Sequence, residues 1–499
     1  MIYAKQILAT LLASLMLVTT LAACSSDPAE TTAADTTADT PIDTTTAEET
    51  TADPLADNLP NDVNYDNYTF RIGASETEPQ WYAYLVRPEQ MGETLNDAIY
   101  NANMAVSERF GVNFAKTPIP GTNFQGINAI LSSAQAGDDI YDIITMHDAQ
   151  SSNAMLQGVL RNVHELEHID LEKPWWPEHT TKALTVNGKM YGIANSMSYY
   201  GLYSTRCIFF NKDMMTDMGI QFPYDDVRAG TWYFDDLMTM TKDIYSDLDN
   251  DGARSVGDRY GFAITGKTYC WLESFGVDIY ARDDSGKIYN CFSNERNIGV
   301  VENLNKWVFG GTPGVWYKSS HSQVRDDGCG GMFARGNVLM ACHSLGVMTE
   351  SCMESDVEFG ILPMPKVEES QESYYAGSGD NPVVIPITNN NMDRTGMIVE
   401  AMSAEGYRRV QPAYTETVMK ERYATDKDSV EMLDIIFNNR LLAGGYLYAA
   451  TNCRIQLIQD QIFAAANSNA NIVSTYESMK NTDQQRINEL NEFFFKAEE

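Results

Sequence analysis

Hydrophobic and polar positions follow one another along the first part of the folded chain in the order expected of an α/β lobe. A strand pattern of period two is followed by apolar residues that recur on one helical face, and this succession then repeats. The predicted elements are a strand at 68–74, a helix from about Thr94 to the left-handed stop at Gly111, a strand at 112–116, a helix at 124–136 ended by Gly137, and a strand at 141–146. Strands that alternate with helices in this way predict a parallel sheet covered by helices.

The third predicted strand has apolar residues in succession, as expected of a strand that is buried on both faces of a sheet. His147 and Asp148 follow it directly. Because ligands of open α/β sheets bind beyond the carboxyl ends of the strands, we expect Asp148 to contact a ligand.

The amino-terminal residues have the pattern of an export signal. Lys5 precedes an apolar run at 7–18 that is too short to span a bilayer, and Leu21-Ala22-Ala23-Cys24 follows. This ending resembles a bacterial lipobox, which implies a signal peptide at 1–23 and a lipid on Cys24. The alternative is an ordinary signal peptide with an incidental cysteine.

The residues that follow Cys24, up to about residue 61, are nearly all Thr, Ala, Asp, Glu and Pro. A segment with so little apolar surface to bury cannot recover its ordering entropy, so we predict a disordered tether at 24–61. A lipid anchor and a tether together predict a protein held at the extracellular face of the bacterial cell membrane.

Length and charge limit the fold and the partners. The chain has 499 residues, and the part beyond the tether is longer than one core supports, so we expect two lobes. The formal net charge of −34 argues against nucleic acid and anionic lipid surfaces as partners. The eight cysteines include no C-x-x-C pair, so the sequence shows neither a zinc knuckle nor a redox motif, and no disulfide pair is predicted.

The sharpest local motif is an acidic loop at 247–258 with the spacing of an EF-hand calcium loop. Gly252 takes the sixth place, where the loop turns sharply, and Asp258 takes the twelfth place instead of Glu. The predicted calcium ligands are Asp247, Asp249, Asp251, the Ala253 carbonyl, Ser255 and Asp258. We expect a structural calcium bound weakly, with a Kd of about 10⁻⁴ to 10⁻³ M. The alternative is an acidic turn without metal.

A second motif, His164-Glu165-Leu-Glu-His168, satisfies the H-E-x-x-H pattern of zinc hydrolases. The extended metalloprotease pattern needs Gly where Leu171 stands and His where Pro174 stands. We therefore predict a surface loop of the first lobe, and a zinc hydrolase remains the less favoured alternative.

Several stretches in order along the chain resemble family-1 extracellular solute-binding proteins of the maltose-binding type. They cover most of 68–389, and the stretch that begins YRRVQPAYTETVMK resembles a subgroup of the same family. The stretches are AGDDIYDIITMHDAQ, VNGKMYGIA, CIFFNKDMMTDMGI, GTWYFDDLMTMTKDI, MFARGNVLMACHSLGVM, EFGILPMPK and NPVVIPITN. The resemblance implies two α/β lobes of the type II periplasmic-binding-protein fold, with hinge-crossing strands and a cleft that closes on a ligand.

The domains implied by this resemblance are lobe 1 at 62–192, lobe 2 at 193–377, a return to lobe 1 at 378–428 and a helical tail on lobe 2 at 429–499. The implied function is that of a monomeric substrate-binding lipoprotein that captures a carbohydrate for an ABC importer, with the permease subunits as partners and without catalysis. A glycan-binding surface sensor or adhesin without a permease, and a glycan-degrading enzyme, remain alternatives.

A sugar site needs aromatic platforms for C–H faces and polar groups for hydroxyls, and this requirement selects the candidate ligand contacts. They are Trp81, Asp148, Tyr199, Tyr269, Trp271, His343, Asp380 and Asn381. We expect Trp81 and Trp271 to stack on the ligand and Asp148 to accept hydrogen bonds from its hydroxyls. By contrast, four other tryptophans are predicted to be core residues: Trp175, Trp176, Trp232 and Trp307.

Overall fold

The structure, a computed structural model, describes residues 55–122, 125–265, 269–318, 328–379, 382–424, 426–441 and 472–496. The predicted signal peptide, Cys24 and the tether up to residue 54 lie outside the described residues. None of the helices in the described part of the chain is both long enough and apolar enough to cross a membrane.

The strands are β1 (Tyr68–Ser75), β2 (Val112–Ile119), β3 (Ile143–Thr145), β4 (Arg206–Asn211), β5 (Tyr245–Ser246), β6 (Arg259–Thr265), β7 (Tyr280–Arg282), β8 (Ile288–Asn290), β9 (Val315–Lys318), β10 (Val338–Ser344), β11 (Phe359–Leu362), β12 (Ala376–Gly377), β13 (Val383–Val384) and β14 (Arg440–Leu441).

The α-helices are α1 (Gln80–Ala83), α2 (Thr94–Phe110), α3 (Ile127–Ala136), α4 (Asp148–Leu156), α5 (Glu178–Leu184), α6 (Tyr200–Tyr203), α7 (Lys212–Asp217), α8 (Tyr224–Ala229), α9 (Phe234–Thr241), α10 (Tyr269–Ser274), α11 (Glu295–Phe309), α12 (Cys329–Ala334), α13 (Leu345–Cys352), α14 (Met392–Glu405), α15 (Lys427–Asn438) and α16 (Ile472–Phe495). A 3₁₀ turn covers Val163–Glu165, and π-helical turns cover Gly406–Val410 and Ala413–Tyr423.

Lobe 1 is built on the sheet with strand order β13-β3-β1-β2. β1 runs parallel to both β2 and β3, whereas β13 is antiparallel to β3. The predicted strand–helix–strand order is confirmed, and Gly111 ends α2 with φ +60°, the left-handed conformation that glycine adopts without strain. The apolar residues of β3 are fully buried, as expected of a strand covered on both faces.

Lobe 2 is built on the sheet with strand order β11-β4-β10-β6-β5, and β9 pairs with the other side of β6. β10 is parallel to β6 and antiparallel to β4, so the sheet is mixed. Gly261 and Gly314 both lie against the carbonyl of Thr241 at the end of α9, where a Cβ atom on either would overlap the carbonyl oxygen. These two glycines therefore set how closely α9 approaches the sheet.

The chain passes from lobe 1 to lobe 2 between Ile193, which bridges to Val383, and β4. It returns between β12 and β13, and it leaves lobe 1 again through the π-helical turns that follow α14. The last described helix, α16, packs on the β7–β8 hairpin. The helical carboxyl-terminal tail is thus present.

Residues 55–61, which we assigned to the tether, are held against lobe 1. Leu59 is 7% exposed, and the buried Asp57 carboxylate accepts hydrogen bonds from Arg109 Nη1 at 2.7 Å and Nη2 at 3.1 Å. Burial alone would raise the pKa of Asp57, but the hydrogen bonds from Arg109 and the Leu59 N–H outweigh it and lower that pKa. The folded body therefore includes these residues.

Five cysteines have side chains that the structure describes, and no disulfide joins any two of them. Cys207, Cys329, Cys342 and Cys352 are buried, whereas Cys291 is half-buried. Burial raises the pKa of Cys352 to about 12. Burial, together with the charge of Asp278, raises the pKa of Cys291 to about 11.

Candidate functional site

The candidate site lies where the strand ends of the two lobes come together. β1 and β3 end at Ser75 and Thr145 in lobe 1, and β10 ends at Ser344 in lobe 2, paired with Arg206 at the start of β4. The two crossing segments touch each other, since Ser204 Oγ, before β4, donates to the carbonyl of Gly379, after β12. Ligands of α/β sheets bind at such carboxyl ends, so this junction is the place to look for a ligand.

An aromatic wall flanks the junction and is formed by Trp81, Tyr84, Tyr199, Tyr200 and Tyr203. The ring centroids of Trp81 and Tyr200 are 4.8 Å apart in an edge-on arrangement, and Tyr84 and Tyr199 are 5.1 Å apart. Tyr200 and Tyr203 stack at 6.1 Å. The wall thus joins the segment after β1 in lobe 1 to the segment before β4 in lobe 2.

The rings of the aromatic wall differ in exposure. Tyr199 is 9% exposed and stacks on the buried Tyr414 at 5.2 Å, whereas Trp81, Tyr84 and Tyr200 are half-buried. Burial, reinforced by the charge of Glu350, raises the pKa of Tyr84 to about 12. Its hydroxyl therefore stays protonated at neutral pH and can donate a hydrogen bond.

A set of buried polar side chains, which we call the polar floor, lies at the ends of β1, β3 and β10, just before and at the start of β4, and just after β12. Its members are Ser75, Thr145, Ser204, Thr205, Arg206, His343, Ser344 and Ser378. Each of these side chains is at most 7% exposed. Buried polar groups need hydrogen-bond partners, and some have them within the protein: Ser75 Oγ donates to the Gly121 carbonyl at 2.7 Å and Thr205 Oγ1 donates to the Gly201 carbonyl at 2.8 Å.

The hydrogen bonds of His343 fix its protonation. Its Nδ1 atom accepts the backbone N–H of Ser344 at 2.7 Å and lies 3.2 Å from Arg206 Nη1. Because both of these neighbours are donors, Nδ1 carries no proton and the ring proton lies on Nε2. The neutral imidazole of His343 is therefore a hydrogen-bond donor through Nε2.

The prediction that Trp271 stacks on a ligand is wrong. Its side chain is 1% exposed, inside the core of lobe 2. Its ring is 5.6 Å from Phe275, 5.7 Å from Phe262 and 5.9 Å from Trp307. Aromatic neighbours surround the indole, so no face is left for a sugar.

The structure does not describe the side chains of the other four predicted ligand residues. Asp148 and Tyr269 are the first residues of α4 and α10, but their side chains are outside the described part. Asp380 and Asn381 are outside it entirely. Their roles stay predictions, and the starts of α4 and α10 follow β3 and β6 at the same strand ends.

Sequence reasoning missed several residues of the aromatic wall and the polar floor. Tyr84 follows Trp81 by three residues and Tyr203 follows Tyr200 by three, so each pair lies one helical turn apart. This repeated spacing was the available signal. Arg206 carried no signal, because a charged residue at the start of a strand is ordinary.

Comparison with known proteins identifies the fold. No protein-family model matches the chain, and no curated protein sequence matches it. Among solved structures, UgpB from Mycobacterium tuberculosis in complex with glycerophosphocholine has a TM-score of 0.56 at 12% identity and covers 84% of this chain and 99% of its own. The substrate-binding protein Lmo0181 from Listeria monocytogenes in complex with cycloalternan gives 0.54 at 11%, over 85% and 99% of the two chains.

MalE from Listeria monocytogenes in complex with maltose gives a TM-score of 0.53 at 16% identity, over 87% of this chain and all of its own. This chain has the two-lobed fold of a solute-binding protein. The expected fold class is thereby confirmed. Lmo0181 is described as an ABC substrate-binding protein and MalE as a maltose-binding periplasmic protein.

The acidic loop lies in lobe 2 of this solute-binding fold, at the opposite end of β6 from the junction. Carboxylate oxygens of Asp247, Asp249 and Asp258 lie within 4.8 Å of one another. Hydrogen bonds from the Gly252 N–H in particular lower the pKa of Asp247, so it is ionised at neutral pH. The Asp251 carboxylate instead accepts the Ala253 N–H at 2.7 Å, outside this group.

The H-E-x-x-H motif does not form a zinc site. His164 and Glu165 lie on the 3₁₀ turn rather than on an α-helix. His168 Nε2 is 2.8 Å from the Asp393 carboxylate, and His164 Nε2 contacts Thr185 Oγ1 at 3.4 Å. The two imidazoles are engaged with different partners, so the zinc-hydrolase alternative has no structural basis here.

Proposed function

We propose that this protein is the substrate-binding component of an ABC importer and that it captures a carbohydrate between its lobes. The observation that carries the proposal is the aromatic wall beside the polar floor, at the junction of two sheets. Aromatic rings match the C–H faces of sugars, and buried polar groups match the hydroxyls. Structural neighbours crystallised with maltose and cycloalternan support the same class of ligand.

The geometry suggests how capture proceeds without catalysis. In the open state, Trp81 and Tyr200 offer ring surface and Tyr84 offers a protonated hydroxyl. When the lobes close, the ligand hydroxyls exchange hydrogen bonds to water for hydrogen bonds to polar side chains at the junction. Removing water strengthens these hydrogen bonds, so closure favours the bound state. The permease subunits would then receive the ligand from the closed form.

The sequence signals extend the proposal to location. A signal peptide at 1–23 and a lipid on Cys24 would hold a monomeric body at the extracellular face of the membrane. Labelling with a radioactive fatty acid tests this, because Cys24→Ala should abolish incorporation if the lipobox assignment holds.

The function is tested by calorimetric titration of the protein with maltose, cyclic oligosaccharides, glycerophosphocholine and short peptides. For a sugar that binds, Trp81→Ala should raise Kd roughly tenfold, equivalent to about 1.4 kcal/mol. Tyr289→Ala is the matched control, since this tyrosine is 45% exposed on the β7–β8 hairpin and outside the wall.

Binding of a peptide without any sugar would keep the capture function and reject the carbohydrate. If Trp81→Ala and Tyr289→Ala raise the Kd for a sugar equally, the aromatic wall is not the binding site.

We also propose that the acidic loop binds a structural calcium ion through Asp247, Asp249 and Asp258, with the Ala253 carbonyl, Ser255 and Asp251 as further ligands. Calcium at ten times its Kd should stabilise the protein by about 1.4 kcal/mol, seen as a rise in Tm relative to protein in EDTA. Asp247→Asn should abolish the rise, whereas Asp243→Asn, at an exposed position outside the loop, should keep it. An equal rise in Tm with calcium in both variants would mean that calcium binds outside the acidic loop.

A further inference from the structure

We infer that α16 is an interlobe strap, which fastens lobe 1 to lobe 2 apart from the chain crossings and restricts their relative motion. The functional meaning of this motion rests on the proposed function, because closure over a ligand is what the strap would control. The strap itself is testable without any ligand.

One side of α16 is bound firmly to the β7–β8 hairpin of lobe 2. Asp483 is buried and accepts the Asn290 amide N–H at 2.6 Å as well as the Tyr280 hydroxyl. Asn491 makes a two-way contact with the backbone of Ile288, accepting its N–H at 2.9 Å and donating to its carbonyl at 2.8 Å. These contacts repeat along the helix, so α16 and the hairpin form one unit.

The carboxyl-terminal end of the same helix reaches lobe 1. The Asn187 amide donates to the carbonyl of Phe494 at 2.9 Å. The ring of Tyr191 meets Phe493 edge-on at 5.2 Å and lies 6.3 Å from Phe494. Both Asn187 and Tyr191 precede the Ile193–Val383 bridge, and they therefore belong to lobe 1.

Apolar packing continues through this contact. Phe494 is 1% exposed and belongs to a buried cluster that includes Leu160 and Val186 of lobe 1 together with Ile288 and Leu490 of the lobe 2 unit. The hairpin adds a second bridge, since Arg282 Nη2 donates to the carbonyl of Ala183 at 2.5 Å. The helix and the hairpin thus bridge the lobes as a single module.

The two sides of the strap differ in strength. Several side-chain hydrogen bonds hold α16 to lobe 2, whereas the lobe 1 side depends on Asn187, a few ring contacts and Arg282. The lobe 1 contacts are therefore the ones that open first, since regions with fewer buried contacts open at lower free energy. Interfaces between the domains of one chain are mobile by default unless something of this kind restrains them.

The experiment measures the distance between the lobes in the ligand-free protein by pulsed electron paramagnetic resonance. Spin labels on ketone-bearing amino acids at positions 108 in α2 and 217 in α7, both exposed, avoid the native cysteines. The test variant combines Asn187→Gly with Tyr191→Ala. Asn187 has φ +48°, which glycine adopts without strain, so this change removes the amide and keeps the turn.

The matched control is Tyr476→Phe, which removes a hydrogen bond from α16 to Asn290 entirely within lobe 2. We expect the test variant to broaden the distance distribution and the control to leave it as in the parent protein. Asn187→Gly alone, which removes no core side chain, should broaden it to a smaller extent. Identical distributions in the parent protein, Asn187→Gly and the double variant would overturn the strap, whether or not any sugar binds.

Discussion

Lobe 1 and lobe 2 hold their interiors together in different ways. Lobe 1 buries carboxylate groups that accept hydrogen bonds from arginine and tyrosine side chains. Asp142 is fully buried and accepts from Arg71 Nε at 3.0 Å, from the Tyr68 hydroxyl at 3.0 Å and from Arg394 Nη2 at 3.3 Å. The centre of lobe 2 is a cluster of aromatic rings around Trp271, Trp307 and Phe262, although lobe 2 also buries the Asp483 carboxylate where α16 meets the β7–β8 hairpin.

The difference follows from how the chain builds each lobe. Arg394 is 252 residues from Asp142, because the chain passes through lobe 2 before it returns to lobe 1. The aromatic rings around Trp271 all come from residues 234–307, a continuous stretch. We infer that directional charged contacts fix the position of a segment that returns late, whereas local packing suffices for a continuous one.

A second buried carboxyl group, which is neutral below about pH 8, makes comparable hydrogen bonds in lobe 1. Glu400 on α14 accepts the indole N–H of Trp175 at 3.0 Å and that of Trp176 at 3.1 Å. Both tryptophans are core residues, as the sequence predicted. Here again a side chain of the returning segment is fastened to one placed more than 200 residues earlier.

The largest effect is expected in the aromatic core of lobe 2. Trp271→Ala should lower the free energy of unfolding by about 3–5 kcal/mol, because it removes a large side chain from a packed interior. Chemical denaturation followed by circular dichroism measures this. A loss below about 1 kcal/mol would mean that Trp271 is not packed as the structure shows.

Asp142→Ala should lower the free energy of unfolding by about 3 kcal/mol, because it leaves the guanidinium groups of Arg71 and Arg394 without their buried carboxylate partner. The matched control is Asp139→Ala, which removes a half-exposed carboxylate that also pairs with Arg71. That control should cost about 1 kcal/mol or less. Equal losses in the two variants would contradict the role given to the buried charge.

Glu400 should make lobe 1 sensitive to pH. Burial raises the pKa of Glu400 to about 8. Hydrogen bonds from the backbone N–H of Asp170 and from the indole N–H groups of Trp176 and Trp175 oppose this shift. Between its ordinary value of 4.5 and about 8, the native state keeps a proton that the unfolded chain releases. Stability from this group is therefore full below pH 4.5 and falls as pH rises, by up to about 1.4 kcal/mol per unit.

Glu400→Gln removes this titration and keeps an oxygen that accepts an indole N–H. The difference in unfolding free energy between the parent protein and this variant, measured at pH 5 to pH 8, should shift steadily in favour of the variant. A difference that stays constant with pH would show that Glu400 is ionised in both states.

The smallest effect is expected at the surface of lobe 1. His168→Ala should change the free energy of unfolding by less than about 1 kcal/mol, because Asp393 is an exposed partner. Adding or removing zinc should leave the Tm of both proteins unchanged. A zinc-dependent rise in Tm that His168→Ala abolishes would restore the metal site.

The sequence predicts local features of the fold and the site, but it does not predict contacts between distant residues. The stop of α2 at Gly111 and the order of strands in lobe 1 depend on neighbouring residues, so the pattern predicts them. The burial of Trp271 depends on which face of the short α10 meets α9 and α11, and spacing cannot show this. The contacts of Glu400 and Asp142 join residues more than 200 positions apart, so a single sequence carries no trace of them.

The buried cysteines of the described core have a consequence for how the protein matures. The thiolate is the reactive form, and burial raises the pKa of Cys352 to about 12, so little thiolate forms at neutral pH. The buried Cys207, Cys329 and Cys342 are likewise kept from oxidants. No disulfide joins these four cysteines to one another, so the packing around them needs no oxidising enzyme. The core around them can therefore fold the same way on either side of a redox gradient.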